Sequence, residues 1–588
     1  MSISPPGIKK FILPAVIFFS LLVLSLVYWK GYGKPNIGID DANIYFVYMK
    51  HLAEGHGFVW NIGGERVEGF TSLLWTLIGA LFYKISPLNL PLFFLIFGFT
   101  LSFFTIYKVL EFARKINNTE SAAITATDII ILFLLIAPRG YIEWNILGLM
   151  ETSLWSFLLA LTSLMLCNYY FNQKKINIVG FSVMLILINL TRPESIAFNF
   201  LFILILFVML YADYGWRYSL KKSLVPFLSY AISLGALILW RLSYFGYPLP
   251  NTYYAKVSGS EKGNLIGGLG YLFQFFNNFP LAAFIFPLLL FFGFMMLIKW
   301  KKSGNLELYS NQEKVEAVLL SVVFSGLAFP VLTGGDHFHF SRFYQPLLPL
   351  FYLAVTITFF WRNYIGFMRQ GTRIATAVVV VSLVFAAFFS GKSTVFGFFR
   401  DELLNFPEFE IARAGRQAAV EMNQAFADCK AYPSMGTNAT GGFGYIYKGT
   451  TMDMLGLNST LMAHANTIKT GVRNHASFDK KAFWQMKPDV FGTSFGGEVV
   501  YDTSTFVLYE NVPGYRHSDF IYSSYKKIFD DDDFRAAYMP AFVQHKNDKY
   551  FIFGYYATSF LNKLDNSIYN VQILERIFDP HRPDQTKR

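Results

Sequence analysis

The chain has 588 residues, of which 54% are hydrophobic and only 15% charged, with 65 Phe, 35 Tyr and a formal net charge of +11. A soluble protein would carry roughly 25% charged residues, so an ordinary soluble globular chain is excluded. The positive charge asks for no nucleic-acid partner. Much of it lies in loops between apolar runs, where the positive-inside rule puts it in the cytoplasm: Lys174-Lys175, Arg217 with Lys221-Lys222, Lys299 with Lys301-Lys302, and Arg362 with Arg369 and Arg373.

In chain order, the first apolar run, Phe11–Trp29, follows Lys9-Lys10. It is longer than a signal-peptide core and no small-x-small cleavage site follows it, so it reads as a retained anchor with a cytoplasmic N-terminus. Residues 30–71 then form a first external loop that opens on Asp40-Asp41. Ile44, Val47, Tyr48, His51 and Leu52 recur at helical spacing, which predicts an amphipathic juxtamembrane helix lying along the bilayer. Gly63-Gly64 and Glu68-Gly69-Phe70-Thr71 lead back toward the membrane.

Further apolar stretches lie near residues 72–86, 91–108, 121–138, 152–170, 177–190, 195–212, 223–244, 278–298, 316–332, 343–361 and 373–390. With the basic loops inside, an even number of crossings must separate Asp41 from Glu151, yet three stretches lie between them. The shortest, 72–86, is expected not to cross fully, and the total to be odd: 11, with 13 as the alternative. The division is therefore a membrane domain, 1–391, followed by a more polar extracytoplasmic α/β domain, 392–588, where helical and strand patterns alternate.

This topology gathers polar loops on the outer face: Glu151, the break Thr191-Arg192-Pro193-Glu194, Arg241, the run Asn251–Lys256, and Asp336-His337-Phe-His339-Phe-Ser-Arg342. Ionisable residues at membrane depth are costly and mark substrate pathways. Asp40 and Asp41 are candidates for a base that deprotonates an acceptor hydroxyl; helix capping by Asp40 is the competing structural reading. Arg192, Arg241, Lys256 and Arg342 suit an anionic phosphate, against simple snorkelling of long cations at span ends. Glu151, Glu194 and Asp336 either grip sugar hydroxyls or pair with those cations. His337 and His339 lack a third spaced ligand, so no metal site is assigned, although a divalent cation bridging the aspartates is compatible with the pair. Cys167 and Cys429 offer neither a disulfide framework nor a metal site. Gly391-Lys-Ser-Thr394 lacks the leading glycine of a phosphate loop, and Asp530–Asp533 lacks calcium-loop spacing.

The pattern Asp40-Asp41-Ala-x-Ile, Gly-His-Gly, Trp-Asn, Gly-Glu-x-Val-Glu-Gly-Phe-Thr-Ser resembles the first external loop of C-type (GT-C) membrane glycosyltransferases of the arabinofuranosyltransferase type, known from mycobacterial cell walls and from a pilin-glycosylating relative. Gly-Leu-Met-Glu151-Thr, Thr-Arg192-Pro-Glu194, Pro-Asn251-Thr-Tyr-Tyr-Ala-Lys256 and Gly-Gly-Asp336-His337-x-His-x-x-Arg342 resemble further segments of that family in the same order. Asp453–Asn458, Ala463-His464, Asn474-His475 and Lys487-Pro-Asp489 resemble its extracytoplasmic domain. The resemblance implies a GT-C fold in the bacterial inner membrane and a polyprenyl-phosphate sugar donor, D-arabinofuranose in the closest group. It also implies a periplasmic glycan or pilin-like protein acceptor. Asp40 would be the base with Asp41 in support, and Asn251 would join the binding set. A lipid-linked-sugar transporter or flippase is the alternative from another class, disfavoured by the absence of internal repeats.

Overall fold

The computed structural model describes residues 9–171, 175–256, 261–303, 309–358, 406–465, 478–492, 500–502, 525–548 and 550–573. The expected span at 373–390, the domain boundary near 391, the Gly391–Thr394 run and Asn474-His475 lie outside them.

The fold is mostly helical up to residue 358. The elements are α1 (Lys9–Gly31), α2 (Asp40–Ala53), α3 (Leu73–Ile85), α4 (Leu90–Ile116), α5 (Ala126–Ile136), α6 (Thr152–Tyr169) and α7 (Ile178–Thr191), then α8 (Ser195–Tyr214), α9 (Trp216–Phe245), α10 (Asn251–Lys256), α11 (Glu261–Asn278), α12 (Pro280–Ser303), α13 (Asn311–Thr333) and α14 (Leu348–Thr356). Among the described residues seven helices are long and apolar enough to cross a membrane: α1, α4, α6, α8, α9, α12 and α13. This is a multi-pass membrane architecture.

Three further apolar helices, α3, α5 and α7, have 10–17 residues. At about 1.5 Å per residue they fall short of a bilayer core of about 30 Å. The short stretch at 72–86 was expected, but α5 is also short, because helical structure occupies only 126–136 of the apolar run 121–138. α7 ends where Arg192 adopts an extended conformation before Pro193, so the run 177–212 is a helix broken at its polar centre. α11 was not expected; Tyr271 and Phe275 on it are buried against Tyr344.

The C-terminal part holds α15 (Pro407–Ala425), α16 (Gly441–Ile446) and strands β1 (Met435–Thr437), β2 (Thr451–Asp453), β3 (Val490–Phe491), β4 (Val500–Asp502), β5 (Tyr538–His545), β6 (Tyr550–Ala557) and β7 (Tyr569–Ile573). They form one sheet in the order β2-β1-β3-β6-β5-β7, with β4 also paired to β6. β1 runs parallel to β2 and β3, and the other pairs are antiparallel. Its core is aromatic: Phe483, Phe491, Tyr525, Phe534 and Tyr556 are all buried.

α2 is buried nearly all round, from Ala42 to Met49, and does not lie free along the bilayer as its amphipathic pattern suggested. The C-terminal domain covers the face that would otherwise meet water. Tyr445 of α16 packs on Phe46, and Arg416 of α15 donates to Asn43 Oδ1 from Nε at 2.8 Å. Phe406 and Phe409 lie against Tyr32, and Phe406 also against Trp144. Contact here needs glycine. A Cβ on Gly441 would stand 1.9 Å from the Asp40 carbonyl oxygen, and one on Gly442 would stand 2.3 Å from the carbonyl of Ala412. Gly441→Ala is therefore expected to lift α16 from α2, with an overpacking cost of about 1–3 kcal/mol. Thermal unfolding in detergent checks this: the midpoint falls for Gly441→Ala and stays level for Gly235→Ala, where a Cβ meets nothing.

Candidate functional site

A cavity of about 310 Å3 opens where α2, the breaks before α6 and between α7 and α8, α10, and the loop between α13 and α14 meet. Of the residues singled out from the sequence, Asp41, Glu151, Arg192, Glu194, Lys256, Asp336, His337 and Arg342 line it, whereas Asp40, Arg241 and Asn251 do not. The walls between the charges are apolar, with Ile44, Phe70, Phe338 and Leu457 among them.

Two arginines are engaged by carboxylates. Arg192 Nη1 donates to Glu151 Oε1 at 2.5 Å, while its Nη2 donates to Glu194 Oε1 at 2.7 Å and its Nε to both Glu194 oxygens at 3.1 Å. Arg342 Nε donates to Asp336 Oδ2 at 3.0 Å, and its Nη1 lies 3.6 Å from Asp41 Oδ2. The guanidinium of Arg342 also sits 4.1 Å over the Phe338 ring, a cation–π contact that fixes its plane. The loop delivering it is bent by Gly334 and Gly335 at φ 94° and 69°, then by Phe340 and Ser341 at φ 58° and 52°. Two consecutive non-glycine residues in the left-handed region cost of order 1–3 kcal/mol each, a conformation kept only where the surroundings impose it.

Lys256 differs. Among the described residues its ammonium makes no hydrogen bond or ion pair, although it lines the cavity. The sequence alone ranked Arg192 and Arg342 above it as phosphate ligands. In the structure each of those arginines is paired with two lining carboxylates, Arg192 with Glu151 and Glu194, and Arg342 with Asp336 and Asp41.

The aspartate pair splits by position. Asp40 is buried, and its carboxylate accepts from Gly441 N–H at 3.0 Å and Gly442 N–H at 2.7 Å. Burial pushes its carboxyl up to about 6, and the Gly442 and Gly441 amides oppose the rise. Asp40 does not cap its own helix, since Ile39 occupies the N-cap; it fastens the C-terminal domain to α2. Asp41, one residue on, turns into the cavity with its side chain 22% exposed. Helical spacing makes this unavoidable, because consecutive residues point about 100° apart.

Arg241 and Asn251 are also fasteners. Arg241 forms a parallel two-bond pair with Glu68, Nε to Oε2 and Nη2 to Oε1 both at 2.9 Å, and Glu68 is only 2% exposed. The Glu68 carbonyl accepts from Asn251 N–H at 3.0 Å. Asn251 Nδ2 reaches the carbonyls of Gly456 at 2.8 Å and Leu457 at 2.9 Å. This seam closes one wall of the cavity, in which Gly69, Phe70, Pro250 and Leu457 take part. Asn458 accepts from Tyr48 OH at 3.0 Å and donates to Asp453 Oδ2 at 2.9 Å. The seam continues in Tyr247 and Tyr254, whose rings stack on His464 at 4.1 and 4.2 Å.

Sequence reasoning passed over Glu68, Thr252 and Glu408. Glu68 stood in a noted motif without a role. Glu408, in the first turn of α15, has its carboxyl pushed up to about 8 by burial and by Asp41 and Asp40. No local pattern links it to residues so far away in the chain. His337 lines the cavity and stacks on Phe338, whereas His339 turns toward Phe340 and Phe406. Among the described residues no group of three His, Cys, Asp or Glu side chains is placed to hold a metal ion.

No protein-family model and no curated protein matches the sequence. Among solved structures the chain is similar to ArnT from Cupriavidus metallidurans bound to undecaprenyl phosphate, at 12% identity and a TM-score of 0.47 over 86% of this chain and 96% of that one. It is also similar to the oligosaccharyltransferase AglB from Archaeoglobus fulgidus in complex with an inhibitory peptide and a dolichol-phosphate, at 12% identity and a TM-score of 0.46 over 95% and 75%. A second structure of the A. fulgidus enzyme, with Zn and sulfate, gives 13% identity and a TM-score of 0.45 over 94% and 74%. These are distant likenesses of a multi-pass helical chain that carries a C-terminal sheet domain.

Proposed function

We propose that this chain is an integral-membrane glycosyltransferase of the GT-C type that moves a sugar from a polyprenyl-phosphate donor to a glycan or protein acceptor outside the cytoplasm. The observation that carries the reading is that Asp41, steadied by Arg342, shares one cavity with Lys256, whose ammonium makes no ion pair with a carboxylate among the described residues. D-arabinofuranose as the sugar, a periplasmic glycan or pilin-like acceptor, 11 crossings, and the C-terminal domain on the outer face of a bacterial inner membrane belong to the same proposal.

In this mechanism the acceptor hydroxyl attacks the anomeric carbon while Asp41 takes its proton. The bond from that carbon to the phosphate oxygen breaks, and its electron pair leaves with the phosphate. Phosphate needs no strong acid to depart. Lys256 stabilises the charge that grows on it, and such stabilisation is worth most in a dry, preorganised site. Arg342, tied to both Asp336 and Asp41, holds the base in register.

Transfer from a panel of synthetic polyprenyl-phosphate sugars by the purified protein in nanodiscs tests the reading. One donor turns over and releases free lipid phosphate if the proposal holds. Passage of an intact lipid-linked sugar across the bilayer without release would replace it with transport. A charge-assisted hydrogen bond contributes about 1.5–3 kcal/mol. Lys256→Gln is therefore expected to lower kcat/KM for the donor about 10- to 100-fold, read from initial rates against donor concentration.

A further inference from the structure

Among the described residues, Thr252 Oγ1 and Glu151 Oε2 are buried atoms of cavity-lining side chains that have no hydrogen-bond partner. Thr252 is 7% exposed and Glu151 1%. Buried polar groups are almost always satisfied, so each exception asks for an explanation. Both side chains are held in place through neighbouring or opposite atoms. Glu151 is anchored by its other oxygen on Arg192. Thr252 follows Asn251, whose main chain is fixed on Glu68 and whose amide is fixed on the 456–457 carbonyls.

We infer that Thr252 Oγ1 and Glu151 Oε2 are a hydroxyl-reading subsite for the sugar of the donor, which makes Thr252 a specificity-determining residue. The inference rests on the transferase reading above and narrows its substrate to a glycosyl group with free ring hydroxyls toward this wall. A carboxylate oxygen only accepts, so one sugar hydroxyl must donate to Glu151; the threonine hydroxyl both donates and accepts, so it exchanges with a second. The cavity is also lined by Phe70 and Phe343, whose rings suit the C–H faces of a sugar ring. A site built to bond a hydroxyl rejects the analogue lacking it far more strongly than an apolar pocket rejects an extra methylene.

The test compares wild type, Thr252→Val and Thr252→Ser on the parent donor and on its monodeoxy analogues, all on one polyprenyl phosphate. Binding of sugar-free polyprenyl phosphate is followed by thermal shift alongside. Thr252→Val, nearly isosteric, should lower kcat/KM about 10- to 100-fold for the parent and match wild type on the one analogue that lacks the hydroxyl it reads. Thr252→Ser should keep the wild-type preference, and all three should bind the sugar-free lipid alike. If Thr252→Val retains the wild-type ratio across every deoxy donor, the hydroxyl holds only water: the subsite is overturned while wild-type turnover leaves the transferase reading standing. If wild type neither turns over any donor nor binds one more tightly than the sugar-free lipid, both fall together.

Discussion

Asp41→Asn is expected to lower kcat by about 10²–10⁴-fold, the usual contribution of a general base, while the donor stays bound. The substitution preserves shape and removes the proton acceptor. It also removes the charge that faces Arg342 Nη1 at 3.6 Å, but Arg342 keeps Asp336, so the loop stays in place. Asp40→Asn should behave differently. An amide offers one oxygen where two backbone N–H groups now find two, and its NH2 would face a donor. The expected result is a lowered thermal midpoint and a looser C-terminal domain, with kcat reduced only as far as that loosening disturbs α2. Initial rates at saturating donor, with limited proteolysis of the same preparations, separate the two outcomes.

The second large effect is on stability. Arg241→Gln leaves Glu68 as an uncompensated buried carboxylate, and breaking a buried pair from one side costs about 3–5 kcal/mol. Glu68 also carries the main-chain bond to Asn251, so the loss should spread to the seam between residues 65–71, α10 and the 453–459 turn. Thermal unfolding should show a large drop for Arg241→Gln. Arg241→Gln with Glu68→Gln should recover much of it, because the double change leaves no lone charge. Activity should follow stability here: no independent loss in donor affinity is expected, since neither residue lines the cavity.

The membrane class and the C-terminal α/β domain were legible in the sequence because composition and apolar run length report burial in lipid directly. The cavity was legible as a set of residue types: ionisable groups stand at loop positions where lipid would penalise them, and eight of them meet in space. Their partners were not legible. Asp40 and Asp41 are chemically identical neighbours, and what distinguishes them is Gly441-Gly442, 400 positions downstream. Arg241 carries the same charge as Lys256, yet Glu68 takes it out of the site. The C-terminal domain, legible only as a more polar α/β unit, supplies Leu457 to the cavity wall and covers α2. Such long-range consumption of a side chain leaves no periodicity behind.

The most direct test of the central claim is turnover of one polyprenyl-phosphate sugar by wild type, Asp41→Asn and Asp40→Asn in the same nanodiscs, with product and free lipid phosphate scored by mass spectrometry. Turnover is expected in wild type, a kcat lowered about 10²–10⁴-fold in Asp41→Asn despite bound donor, and a much smaller loss in Asp40→Asn. Near-normal turnover in Asp41→Asn, together with complete loss in an Asp40→Asn protein of unchanged stability, would contradict it and return the role of base to Asp40.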